Sequence, residues 1–143
     1  MLFRSCIDFS NCVSLSDQVL TSACKIRLSA CRESFERLSF ANCINLSDSG
    51  LLHLVSKASS LIKGLRSVNL NFCNRVSPSG ISKLLHCCKE LQHLHLASNP
   101  SQQGMSDAIV QFIASEYNQR LQTLVLVRST HLTSAGILSV AAQ

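Results

Sequence analysis

Residues 65–85 read LRSVNLNFCNRVSPSGISKLL. Leu65, Val68 and Leu70 follow an L-x-x-L-x-L spacing, and the two-residue alternation at its end predicts a short strand with one buried face. Cys73 comes three residues later, small enough for a turn and able to hydrogen-bond to backbone there. Ser77 then offers a hydroxyl to the orphan N–H groups of a first helical turn, and Pro78 stands at the first helical position, where a missing N–H costs nothing. Val76 before the cap and Ile81 and Leu84 beyond it supply the helix's inward face. The stretch is one strand, one turn and one helix.

The same pattern recurs along the chain. FERLSFANCINLSDSGLLHLV from Phe35 and LQTLVLVRSTHLTSAGILSVA from Leu121 align with it without a gap. LQHLHLASNPSQQGMSDAIVQFIA from Leu91 aligns once three inserted residues are allowed before Met105, and RSCIDFSNCVSLSDQVLTSAC from Arg4 is a weaker first copy. Cys12, Cys43 and Cys73 share the turn position, taken by Asn99 and Ser129 in the last two copies. The caps are Ser16, Ser47, Ser77, Ser106 and Thr133. Asp17, Asp48 and Asp107 follow three of them, where a carboxylate suits the positive end of the helix dipole. The expected inward positions are Leu20, Leu51, Ile81, Val110 and Ile137, with Ala23, Leu54, Leu84, Ile113 and Val140 one turn on.

Strand, turn and helix repeated in one direction require right-handed crossovers and parallel strands. The expected fold is therefore α/β: a right-handed solenoid of about five repeats, with parallel strands on the concave face and helices on the convex face. One domain over residues 1–143 is expected, its repeats starting near 4, 35, 65, 91 and 121, the first degenerate and the last truncated.

LRSVNLNFCNRVSPSGISKLLHCCKELQHLHL resembles the cysteine-containing leucine-rich repeat, L-x-x-L-x-L-x-x-C-x-x-[IVL]-[ST]-D-x-G-[LI], and the resemblance spans nearly the whole chain. It implies the leucine-rich-repeat fold of F-box/LRR substrate receptors of ubiquitin ligases, of the antagonist-of-mitotic-exit-network group and of several assembly subunits. Arg4 stands where a core leucine belongs, and no F-box-like segment precedes the first copy. The resemblance thus implies a protein-binding role, as adaptor or substrate receptor, or else a structural subunit whose ends are covered by neighbours.

Alternate strand side chains lie on opposite faces, so the residues between the strand leucines are expected in the groove. They are Arg37, Ser39 and Ala41; Ser67, Asn69 and Asn71; His93, His95 and Ala97; Thr123, Val125 and Val127. Val125 and Val127 read either as a small apolar anchor for a protein partner or as the contact for a further repeat or tail. The insertion Pro100–Gly104 reads either as a binding loop or as drift in loop length.

Other chemistry is set aside on the residues themselves. The net charge is +5, but its basic side chains are scattered, which argues against a nucleic-acid or membrane patch. His86, Cys87, Cys88, His93 and His95 carry zinc-type donors, yet the two histidines belong to a strand whose neighbours offer Asn69, Asn71, Thr123 and Val125. No metal or cofactor is expected. Cys43 and Cys73 read as packing residues, Cys6 points to the groove, and Ser47 with Asp48 reads as a helix cap. No P-loop, G-x-S-x-G or G-x-G-x-x-G occurs, so no enzyme is expected. With no apolar leader or 18-residue apolar run, eight cysteines suggest a reducing intracellular setting, cytoplasmic or nuclear.

Overall fold

The computed structural model describes residues 6–26, 34–97, 106–117, 119–127 and 131–141. Strands and helices alternate: β1 Cys6–Asp8, α1 Asp17–Ile26, β2 Arg37–Ser39, α2 Asp48–Ile62, β3 Ser67–Asn69, α3 Pro78–Cys87, β4 His93–His95, α4 Asp107–Tyr117, β5 Thr123–Val125 and α5 Ser134–Ala141. The strands form one sheet in chain order, every pair parallel. This is the leucine-rich-repeat solenoid expected from the sequence.

The middle residue of each of the three inner strands, Leu38, Val68 or Leu94, faces the helices and is buried, together with Leu65, Leu70, Leu91 and Leu96, while Ile7 and Leu124 at the middle of the outer two are partly buried. Fully burying such a side chain stabilises the fold by about 1.5–3 kcal/mol. Phe9 and Phe40 stack with centroids 5.6 Å apart, widening the same column at its N-terminal end. The sheet's hydrogen bonding runs on past the strands, from Phe9, Phe40, Leu70 and Leu96 N–H to the carbonyls of Ser39, Asn69, His95 and Val125. The first three repeats then turn sharply, at Asn11, Asn42 and Phe72, with positive φ of 64°, 60° and 58°. Asparagine tolerates that left-handed geometry; phenylalanine adopts it at a cost.

Two kinds of side-chain rung lock one repeat to the next. The first is the turn cysteine: Cys43 and Cys73 are buried, and their thiols donate to the carbonyls of Phe9 at 3.1 Å and Phe40 at 3.0 Å in the preceding repeat. Burial pushes the Cys43 thiol up to about 11 and that of Cys73 to about 12, so both stay protonated donors. Cys88 is also buried, donates to Leu84 O at 3.3 Å within its own helix, and is pushed up to about 12.

The second rung joins helix starts. Asp17 receives Ser47 N–H at 2.8 Å and Ser47 Oγ–H at 2.5 Å; Asp48 receives Ser77 in the same way at 2.7 and 2.5 Å, and Asp107 receives Thr133 at 2.9 and 2.5 Å. Each hydroxyl also accepts from its own helix, from the N–H of Ser49, Ser79 or Ala135. A hydroxyl is needed because one group must be donor to the neighbour and acceptor to the helix at once. The Thr133 hydroxyl, and then its N–H, hold the Asp107 carboxyl below the usual carboxylate range.

The carboxylates lie against Gly50, Gly80 and Gly136. A Cβ on Gly50 would stand 2.5 Å from Asp17 Oδ1, and one on Gly80 or Gly136 would collide with Asp48 or Asp107. At the third junction the pattern changes on both sides. Pro78 has no carboxylate, and the position of those glycines is taken by Ile109, which is buried. Aspartate goes with glycine and proline with isoleucine, so side-chain volume across each junction is conserved.

Two expectations need correction here. Ile137 and Val140 do not form an inward face: they are 58% and 37% exposed, and Leu138 is 63% exposed, α5 being packed on one side only, against α4, among the described helices. Ala97 is buried, since its N–H is drawn to Asn71 Oδ1 at 2.7 Å. Arg4, Asn99, Ser129, Met105 and the insertion Pro100–Gly104 lie outside the described residues.

Candidate protein-binding face

Helices cover one side of the sheet; the other carries the alternate strand residues. Parallel register aligns them into two rows. Cys6, Arg37, Ser67, His93 and Thr123 form one, and Asp8, Ser39, Asn69, His95 and Val125 the other. Arg37 is exposed and Ser39, Ser67, Asn69, His93, His95, Thr123 and Val125 are half-buried, which places all of them on the surface expected from the alternation. Val127 follows β5 and is exposed.

Several of these side chains already use part of their hydrogen-bonding capacity on neighbouring side chains or backbone. His93 Nδ1 lies 3.2 Å from Thr123 Oγ1, Ser39 Oγ lies 2.7 Å from Ser10 Oγ, and Asn69 Oδ1 accepts from Asn71 N–H at 3.0 Å. These contacts hold the side chains in defined rotamers, which lowers the entropy cost of a partner's docking. Asn71 is different from the rest. Its side-chain oxygen is turned onto Ala97 N–H and its carbonyl accepts from Asn42 N–H, so it serves the turn between repeats as much as the face.

Within the two rows of described strand residues, charge is confined to one end. Asp8 and Arg37 lie on adjacent strands, in adjacent rows, while the centre is serine, asparagine and histidine and the far end is Thr123, Val125 and Val127. The Ser10 hydroxyl, and then its N–H, hold the exposed Asp8 carboxyl below the usual range, keeping it anionic. Asp8 is the residue that reading the sequence missed. It stands one place beyond Ile7, which pairs with Leu38, and that alternation in the degenerate first copy is the signal that could have found it.

The residues weighed as metal donors are split between layers. His86 is exposed at the end of α3, Cys88 is buried beneath it, and His93 and His95 project from β4 on the helix-free side. Among the described residues no three His, Cys, Asp or Glu side chains converge as metal ligands do. Among them, too, no helix is long and apolar enough to cross a membrane.

Neither a protein-family profile nor a curated protein matches the chain. Among solved structures it is similar to the tropomodulin C-terminal domain from Caenorhabditis elegans, with a TM-score of 0.63 and 18% identity over 96% of this chain and 80% of that one. At that identity the likeness carries the fold.

Proposed function

We propose that the chain is a noncatalytic protein-recognition module whose helix-free sheet face takes a segment of another protein. The observation that supports this reading is the pair of in-register rows, charged at β1 and β2, hydrogen-bonding at β3 and β4 and apolar at β5. Such a gradient suits an extended segment crossing the strands, reading its charge at one end and its apolar side chains at the other. Arg37, Ser39, Ser67, Asn69, Asn71, His93, His95, Thr123, Val125 and Val127 are the proposed contacts, with Asp8 added. An adaptor or substrate-receptor role inside the cell, of the kind the repeat resemblance implies, is the finer form of this reading. It involves no nucleic acid, membrane insertion or cofactor.

The test compares native protein capture by wild type with capture by a variant carrying Arg37→Glu, Asn69→Ala and His95→Ala. Expected is a loss of at least about tenfold in specific partner yield, with the circular dichroism unchanged, since each hot-spot side chain is worth roughly 1–2 kcal/mol. Equal capture of the same proteins by both would dispose of the face. A ligase scaffold in the eluate would favour substrate reception.

One observation favours a second reading, a structural subunit whose solenoid ends are covered by neighbours: Ile137 and Leu138 are large, apolar and mostly exposed at one end.

A further inference from the structure

Where the strands give way to turns, backbone N–H groups take up the acceptors of the helix-free face. Asp8 Oδ1 accepts from Ser10 N–H at 2.8 Å, Ser39 Oγ from Ala41 N–H at 3.5 Å and Asn69 Oδ1 from Asn71 N–H at 3.0 Å, each two residues on. Asn71 Oδ1 takes the next one, Ala97 N–H, at 2.7 Å. A backbone N–H can only donate, so both asparagine amides are fixed with the oxygen committed and the Nδ2 group left over. Neither Nδ2 meets a protein acceptor among the described residues, and neither is sealed from solvent.

The hydrogen-bonding capacity left on β2, β3 and β4 is therefore lopsided. Asn69 and Asn71 each offer two N–H, the exposed Arg37 guanidinium offers five and no acceptor, and His95 offers at least one N–H in any protonation state. Arg37 is also the one permanently charged side chain of the two rows on these three strands. The residues beside Asn71 in the adjoining repeats are Ala41 and Ala97, too short to cover its amide. All of these groups lie on or just past an inner strand, paired on both sides, so the arrangement is independent of what adjoins the edges of the sheet.

A floor rich in donors and poor in acceptors, with a cation beside it, fits a group that is anionic and only accepts, which a carboxylate is. Arg37 and His95 belong to the two strands that flank Asn69, each about 5 Å from its own, so a carboxylate over Asn69 has donors on both sides. Asp8 bounds the site. It lies two strands from Asn69, about 10 Å, which exceeds the screening length of about 8 Å at physiological salt, so it repels a carboxylate that strays toward β1 and little beyond.

We propose that the protein segment taken by this face is acidic, an Asp or Glu side chain of it seating between Arg37 and His95 on the amides of Asn69 and Asn71. The inference rests on the recognition reading and specifies its partner.

The probes are short synthetic peptides of glutamate, glutamine or lysine carrying one fluorophore, titrated with the full chain at physiological salt and read by fluorescence anisotropy. Glutamate is expected to bind at least about tenfold more tightly than glutamine, and lysine more weakly than either. Asn69→Asp keeps the oxygen that Asn71 N–H needs but exchanges the free donor for a second carboxylate oxygen. It should weaken glutamate binding by at least about tenfold, with the circular dichroism unchanged. The chain is basic as a whole, so Lys57→Gln with Lys83→Gln, at exposed sites on α2 and α3, is the control for unspecific attraction. It removes more charge than Asn69→Asp and should change binding by less than about threefold. Equal affinity for glutamate and glutamine, indifference to Asn69→Asp, or a loss as large in the lysine control would each overturn the acidic partner. The recognition reading fails on a different result, equal native capture by wild type and by the Arg37→Glu, Asn69→Ala, His95→Ala variant. Capture lost in that variant while the glutamate peptide goes unbound would leave the face standing and its acidic partner overturned.

Discussion

The junction between α2 and α3 and the junction between α3 and α4 join units of one design and are fastened at opposite ends. The first is held at the helix starts, where Asp48 receives both donors of Ser77 with Gly80 leaving room. The second has Pro78 and Ile109 at that place and is the loosest of the helix–helix junctions. Its fastening is at the helix ends. There the buried Tyr117 hydroxyl donates to Leu85 O, and Arg120 Nη1 reaches Lys89 O at 2.7 Å. The ion pairs beside them, Lys89–Glu116 at 3.8 Å and Arg120–Glu90 at 3.9 Å, are exposed and add little. The difference teaches that a solenoid junction needs one directional polar contact to fix its register, and that its location along the helices is free. The repeat carrying the sequence insertion is the one that has moved it.

The largest expected effect comes from breaking the first junction. Gly80→Val forces a side chain into the Asp48 carboxylate and separates α2 from α3, at a cost of about 3 kcal/mol from overpacking together with the lost hydrogen bonds. Urea titration should show a lower midpoint. Combining it with Asp48→Pro copies the pairing found at Pro78 and Ile109 and should recover about half of that loss, as coupled neighbours do. A Gly80→Val protein as stable as wild type would mean that the carboxylate is not fixed in place and that the comparison is mistaken.

Breaking the second junction is expected to cost less. Tyr117→Phe removes one hydroxyl and leaves Leu85 O without that donor, for a loss of about 1–2 kcal/mol. Burial first, with nearby thiols and Glu116 adding to it, pushes the tyrosine's pKa up, so the hydroxyl remains a donor at any ordinary pH. Hydrogen exchange should then rise in α4 and α5 more than in α1 and α2, because the junction between α3 and α4 is where the two halves meet. Uniform acceleration along the chain would show that Tyr117 is no local fastener.

The fold was legible because leucine spacing and cap residues repeat five times, and each repetition supports the same strand–turn–helix reading. The rungs were legible only in part. Ser47, Ser77 and Thr133 announce themselves as caps, but a cap is satisfied within its own helix, and nothing local says that Asp17, Asp48 and Asp107 reach across to the next one. The covariation of Asp with Gly and of Pro78 with Ile109 was the available signal; it appears only when successive copies are compared offset by one repeat. On the proposed binding face, alternation placed Arg37 through Val125 correctly because β-strand geometry leaves no choice. It failed at Ala97, which lies past β4, where the backbone has begun to turn and the period of two no longer applies.

The smallest effect sharpens the comparison at the turns that lead into these two junctions. Asn42, before the first, carries its positive φ with a residue suited to it, and its Nδ2 donates to Asn11 Oδ1 at 2.8 Å. Phe72, before the second, adopts the same geometry without that chemistry, and its side chain is half-buried, not core. Left-handed backbone costs an ordinary residue about 1 kcal/mol, a penalty asparagine largely escapes. Phe72→Asn gives up part of a half-buried ring in exchange. The ring's partial exposure makes that loss the smaller quantity, so the substitution should stabilise the protein by about 0.5 kcal/mol, read as a raised thermal midpoint. A lowered midpoint would show that the ring's packing outweighs the backbone strain, and that the second junction is fastened at its turn as well as at Tyr117.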